Sequence, residues 1–223
     1  LKELRPTDRV KIQYKKKVLK RYIDDMRGRQ IDNWDLMGKE RNFLSQPRNV
    51  QVMEILNNKR DDTNLLKDIH VLSDPAFMND FRNQVWPIIQ KSCAGANCHG
   101  GPQGKGGLRF FVVPGTNSRV DYTNFLIVSG WRKGRNRLLD RQNIEASLLL
   151  QYGLNRRVAK KRHPVAIPPV FTGIRSSPYR RVVQWMNSLK KPLAPDYHIH
   201  AGYKPAGMSL DTSGTPIMLD DEE

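Results

Sequence analysis

Cysteine is nearly absent from this chain, two residues in 223. That scarcity excludes a disulfide-rich scaffold and any zinc module built on two cysteine pairs. Acidic side chains are also short, 22 Asp and Glu against 38 Lys and Arg, so the formal charge is +16. Long apolar runs are missing as well. No window approaches the roughly 18 apolar residues of a membrane span. Nor does any stretch combine a basic start, an apolar core and a small-residue cleavage site. Beginning at Leu1, the sequence reads as a trimmed product, so the lack of an export signal carries no information about compartment. No internal repeat is visible. With 38% hydrophobic and 27% charged residues, a soluble protein with a modest core is expected.

The charge is unevenly spread. YKKKVLKRY (14–22) and RRVAKKRH (156–163) are basic blocks, whereas the sequence closes on MLDDEE. Such a balance suits an acidic partner or a solvated lysine-rich face. No zinc-finger, aromatic ribonucleoprotein or helix-turn-helix pattern accompanies the basic blocks, which argues against nucleic acid.

Apolar periodicity predicts a mainly α chain. Val10, Tyr14, Val18, Tyr22 and Met26 recur at every fourth position, predicting an amphipathic helix over 7–27 with Thr7 as N-cap and Gly28 as C-cap. A second helix is expected over 49–58. After Pro75, the positions Phe77, Phe81, Val85 and Ile88 or Ile89 predict a helix running into Cys93, kinked or split by Pro87. LRFFVV (108–113) reads as a strand or an extended arm. YTNFLIVSG and NIEASLLLQYGL predict two more helices, the second capped by Asn143. HPVAIPPVFTG (163–173) is expected to be an irregular loop because of its prolines. SPYRRVVQWMNSLKK predicts a closing helix capped by Ser177, and the tail past Pro192 has no periodicity.

Both cysteines sit in CAGANCHGG (93–101), with His99 directly after the second. Three chemistries compete for that arrangement. A Cys93–Cys98 disulfide closes a very small loop and leaves His99 unexplained. A zinc site needs about four protein ligands, and no second cysteine pair exists to complete one. Covalent haem accounts for every part: two thioethers from Cys93 and Cys98, and His99 as the proximal iron ligand. The spacing of four is wider than the usual two, and the small residues Ala94 to Asn97 suit a looped-out segment. The Gly-Lys pair in GPQGKGG is not a phosphate loop, since Gly106 stands where Ser or Thr is required.

The stretch VWPIIQKSCAGANCHGGPQGKGGLRF, followed by EASLLLQYGL and YRRVVQWMNSLKK, resembles a class I cytochrome c domain. More narrowly, it is similar to cytochrome modules of planctomycetes, over residues 75–192. The four-residue spacing has a parallel in tetrahaem cytochromes of sulfate-reducing bacteria. The resemblance implies a cytochrome c-like helical haem domain over 75–192, with first and last helices packed together. An N-terminal helical extension (1–74) and an irregular tail (193–223) would flank it. It also implies one covalent haem c. The distal ligand would come from the proline-containing loop before the last helix, where His163-Pro164 stands in place of Met-Pro. Bis-histidine iron with His99 and His163, at a lowered potential, is therefore expected.

Met186 is a competitor expected to be core, and Met208, Met218, His198 and His200 are further candidates in the tail. His70 reads as a surface residue. A backbone carbonyl near Pro102 or Pro114 is expected to orient His99. Trp86, Phe110, Phe111, Trp131, Tyr152 and Trp185 are available as haem walls. The expected function is single-electron transfer outside the cytoplasm, in a periplasm or equivalent compartment, with an acidic redox partner. A docking subunit of a larger extracytoplasmic complex is the alternative. An enzyme with an open haem site ranks behind both, because no second haem motif exists.

Overall fold

The computed structural model describes residues 3–28, 38–59, 62–115, 117–191, 208–210 and 216–218. The chain is mainly helical and divides into two compact units, Leu1–Ala76 and Phe77–Glu223. Among the described residues, no helix is long and apolar enough to cross a membrane.

In the first unit, β1 (Ile12–Tyr14) pairs antiparallel with β2 (Ile69–Val71), placing Gln13 opposite His70. Between them lie α1 (Lys16–Gly28), α2 (Lys39–Ser45), α3 (Arg48–Asn58) and the short α4 (Thr63–Leu66). The expected helix over 7–27 therefore starts late, and Thr7 does not cap it. Ile12 and Tyr14 alternate with exposed Gln13, a period of two, and they join a strand whose partner lies far along the chain. The four-residue stripe survives from Val18 onward, with Val18, Tyr22, Ile23 and Met26 buried against Phe43, Val52 and Ile55. Within this core the Tyr22 hydroxyl donates to Glu54 Oε1 (3.1 Å) and accepts from Asn58 Nδ2 (2.7 Å). His70 is exposed.

One helical run starts at the unit boundary and continues into the second unit: α5 (Ala76–Asp80), a π-helical turn (Phe81–Val85) and α6 (Trp86–Ser92). Pro87, expected to kink or split the helix, stands in the first turn of α6, directly after the π turn that separates α6 from α5. Proline has no N–H to give, and its ring collides with a carbonyl one turn back. The extra residue in the π turn absorbs that conflict, and the Trp86 N–H reaches back to Phe81 O.

After an extended arm come α7 (Ser118–Gly130), the two-residue strands β3 (Arg132–Lys133) and β4 (Asn136–Arg137), a 3₁₀ turn (Ile144–Ala146), α8 (Leu148–Gly153) and α9 (Ser177–Ser188). Asn143 caps the 3₁₀ turn, accepting from Ala146 N at 3.2 Å, and not α8 as expected, which begins at Leu148 with Ser147 as its N-cap. Ser176, not Ser177, is the N-cap of α9. In the tail, Met208–Leu210 and Pro216–Met218 pair as β5 and β6, so these segments are not irregular. His198 and His200 lie outside the described residues.

The helix that carries Phe77 and Phe81 packs against α9. Trp185 Nε1 donates to Phe77 O at 3.0 Å, and the Trp185 ring lies 5.3 Å from that of Phe81. Buried Phe125 of α7 closes the aromatic cluster at 5.2 Å from Phe77 and 5.8 Å from Phe81. Each such ring contributes about 1.5–3 kcal/mol by leaving water. Met186 is fully buried here, as core.

LRFFVV is an extended arm and forms no strand. Fully buried Asn124 pins it as a partner strand would: Phe111 N donates to Asn124 Oδ1 (2.9 Å), and Asn124 Nδ2 donates to Phe111 O (2.8 Å).

Candidate functional site

The cysteine segment is a loop stitched by its own backbone. Beyond the end of α6, Cys93 N donates to Ile89 O (2.7 Å). Cys98 N then turns back onto Gly95 O (2.8 Å), and His99 N closes the loop on Cys93 O (3.0 Å). The glycines after His99 allow this closure. A Cβ on Gly100 would stand 2.0 Å from Ala94 O, and one on Gly101 would stand 2.3 Å from Ala96 O. They make room for the loop's own backbone, not for a ring above it. Cys93 and Cys98 are free thiols, so the disulfide alternative is not formed.

A hairpin then orients the histidine. Lys105 and Leu108 pair through reciprocal backbone hydrogen bonds of 3.1 Å, with Gly106 and Gly107 between them at φ 62° and 73°. Two successive positive φ values are what a two-residue hairpin turn needs, and glycine adopts them without strain. His99 Nδ1–H donates to the two carbonyls of this hairpin, Lys105 O at 3.0 Å and Leu108 O at 3.2 Å. The acceptors are thus hairpin carbonyls, further along than the neighbourhood of Pro102 and short of Pro114. With Nδ1 engaged, Nε2 keeps its lone pair. Burial holds the His99 pKa below its ordinary value, which favours the neutral, electron-donating ring. Burial likewise pushes the Cys93 thiol up to about 11, so no thiolate charge sits in the apolar surroundings.

His163 arrives from the proline loop. Its ring is half-buried, 5.2 Å from the Tyr152 ring and 6.1 Å from the His99 ring, with the two imidazole planes inclined at 69°. His163 Nδ1 is held by the backbone of Val165, 2.9 Å from its carbonyl oxygen and 3.3 Å from its amide nitrogen, so it donates to the one or accepts from the other according to tautomer. The two histidines and both cysteines line one largely apolar cavity of about 280 Å³. Ile88, Leu148, Leu149, Val170 and Phe171 are among its walls.

Of the aromatic walls expected from sequence, Phe110, Trp131 and Tyr152 line the cavity. Trp86 and Trp185 instead belong to the core, and Phe111 packs beside Val120. Trp131 Nε1 ties the glycine hairpin down through Gly107 O at 2.8 Å. Phe171 was missed in the sequence. Gly153 admits it, because a Cβ there would meet the Phe171 ring at 2.5 Å. The side chains of Met208 and Met218 lie outside the described residues.

The two ring centroids are 6.1 Å apart, a separation that two metal–nitrogen bonds of about 2 Å, as for zinc, can span. Among the described residues, no group of three or more His, Cys, Asp and Glu is placed to hold a bare metal ion. The donor set is therefore two nitrogens beside two thiols, within apolar walls.

Basic residues surround this site. From Phe81 to Pro195 the sequence holds three acids, Asp121, Asp140 and Glu145. Asp121 is buried and paired with Arg82 at 2.6 Å, and Asp140 is engaged by the N–H groups of Gln142 and Asn143. Arg132, Lys133, Arg135 and Arg137 are exposed on the β3–β4 hairpin, as are Arg156, Arg157, Lys160 and Arg162 on the loop before His163. Lys161 Nζ bonds Asn136 Oδ1 and so joins hairpin to loop. Lys105 and Lys133 line the cavity itself. Compared with known protein families, characterised proteins and solved structures, the chain matches none.

Proposed function

We propose that this chain is a c-type cytochrome that carries single electrons on one covalently held haem. One observation carries the reading: Cys93, Cys98, His99 and His163, drawn from two separate loops, line a single apolar cavity with their imidazoles 6.1 Å apart. That donor set fits a metal whose remaining ligands come from a flat apolar macrocycle better than it fits a bare ion. In this reading the helical arrangement of the second unit is cytochrome c-like. Haem, when bound, supplies an iron that accepts and returns one electron.

The chain's residues do the rest. Cys93 and Cys98 would hold the group through thioethers, and His99 and His163 would ligate its iron. The hairpin carbonyls of Lys105 and Leu108 orient His99 and strengthen its donation. The apolar walls exclude water and favour a small reorganisation on electron transfer. A second histidine in place of methionine lowers the potential. The basic β3–β4 hairpin and the loop before His163 would receive an acidic redox partner by electrostatic steering. Thioether attachment places the protein in a periplasm or another extracytoplasmic compartment.

The test is a pyridine haemochrome spectrum of protein co-expressed with a cytochrome c assembly system. A c-type α-band that survives acid–acetone extraction, and is lost in Cys93→Ala/Cys98→Ala, is expected. Absence of bound haem in the matured wild type overturns the reading.

A second reading is favoured by the first unit, which has its own buried core around Val18, Tyr22, Phe43 and Ile55. A small electron carrier has no need of it, whereas a docking subunit of a larger extracytoplasmic complex does. Light scattering and co-purification at moderate salt distinguish the two.

A further inference from the structure

Gln151 stands out as a polar side chain inside LLLQYG (148–153), an otherwise apolar helix packed into the core. It is 6% exposed, and each of its amide atoms is used. Nε2 donates to Glu145 O at 2.7 Å, anchoring the amide to the turn before α8. Oε1 accepts from two successive backbone N–H groups, Lys160 at 2.8 Å and Lys161 at 3.3 Å. Those two residues begin the short segment that ends at His163. The next residue of α8, Tyr152, sets its ring against that of His163. From the other side, Arg156 Nη1 donates to His163 O at 2.7 Å.

We infer that Gln151 is a positioning residue for His163: its buried amide clamps the Lys160–Lys161 backbone and so sets where the distal imidazole sits in the cavity. The inference rests on the reading of His163 as an iron ligand. The segment that leads into Pro164 has no regular hydrogen-bond ladder to fix it. A short buried side chain that accepts two adjacent N–H groups fixes it at the point nearest the histidine. Without that acceptor the N–H pair turns to water, and the population with His163 in place falls.

The experiment compares the haem-loaded full chain with Gln151→Met, close in volume but without an acceptor oxygen, and Gln151→Glu, which keeps one. Ferric spectra and imidazole titrations are the readouts. Gln151→Met is expected to show a high-spin fraction and about tenfold tighter apparent imidazole binding, because the competing ligand is displaced more readily. Gln151→Glu is expected to restore the low-spin spectrum. A Gln151→Met protein that melts earlier but keeps the wild-type spectrum and imidazole affinity overturns the inference, since the role would then be stability alone.

Should Gln151→Met fail to fold, hydrogen exchange in the wild type decides. Protected amides at Lys160 and Lys161 support the clamp, and exchange at the rate of free peptide overturns it. His163→Ala separates the two levels. If it leaves the spectrum unchanged, the ligand reading fails. If it turns high-spin while Gln151→Met does not, only the clamp fails.

Discussion

His99 and His163 meet in the cavity with ring centroids 6.1 Å apart, and each ring has its Nδ1 held by backbone, His99 by the carbonyls of Lys105 and Leu108 and His163 by the main chain of Val165. His99 reaches the cavity from the loop that holds the cysteines and His163 from the proline loop. His163→Gly in the haem-loaded protein is expected to turn the ferric spectrum high-spin. Added imidazole should restore the low-spin form, because the vacated volume is that of the side chain removed. A variant that stays low-spin without imidazole would move the distal ligand elsewhere.

Gly100→Ala tests the closure of the cysteine loop. The added Cβ would meet the Ala94 carbonyl oxygen at 2.0 Å, so backbone must shift. A loss of about 1–3 kcal/mol in denaturant unfolding is expected, together with poor haem incorporation. Gly95→Ala is the control: nothing lies within 4 Å of a Cβ there, and it should be close to wild type in both measurements.

Glu54 in the first unit carries a pH dependence of known sign. Burial raises its pKa above the ordinary value, and the hydrogen bond from Tyr22 opposes that shift. A raised folded-state pKa means that the folded form binds the proton more tightly. The associated stability is therefore present below the unfolded value near 4.5 and is lost as pH rises through the folded value. Native-state hydrogen exchange at the amides of α3 (Arg48–Asn58), compared between wild type and Glu54→Gln, reads it. The variant should gain protection relative to wild type as pH climbs from about 4 to about 7. A difference independent of pH would contradict the assignment.

The basic surface makes a kinetic prediction. Reduced protein should transfer its electron to anionic ferricyanide at a rate that falls by about tenfold between roughly 10 mM and 200 mM ionic strength. Charge reversal at Arg132, Lys133, Arg156 and Arg157 should flatten that dependence. A salt slope unchanged by the four substitutions would place the entry point away from this surface.

Local features of the fold were legible because they depend on near neighbours. The stripe from Val18 to Met26, the proline loop and the buried face of α9 follow from spacing alone. The first helix was read too far toward the N-terminus because Ile12 and Tyr14 pair with residues of β2, and a three-residue strand leaves no local trace distinct from a helix turn. Pro87 marks where the run changes, but the form of that change, a π turn just ahead of the proline, has no local signal. Gln151 could have been noticed as the one amide in an apolar run. Its partners at Lys160 and Lys161 could not, since they sit in a loop without periodicity.

Covalent order alone placed His99 beside Cys98 and spaced the two cysteines, and small residues with glycines made that segment able to close. The glycine pair at 106 and 107 set a tight hairpin by its conformational freedom. Tertiary closure decided everything that joins distant residues: that the hairpin's carbonyls hold His99, that Phe171 completes the wall, and that His163 lies 6.1 Å from His99. The reason is that dihedral preferences and apolar period act over a few residues. The meeting of two loops depends on how the aromatic cluster between the run of α5 to α6, α7 and α9 packs and on which buried amides pin the connecting chain.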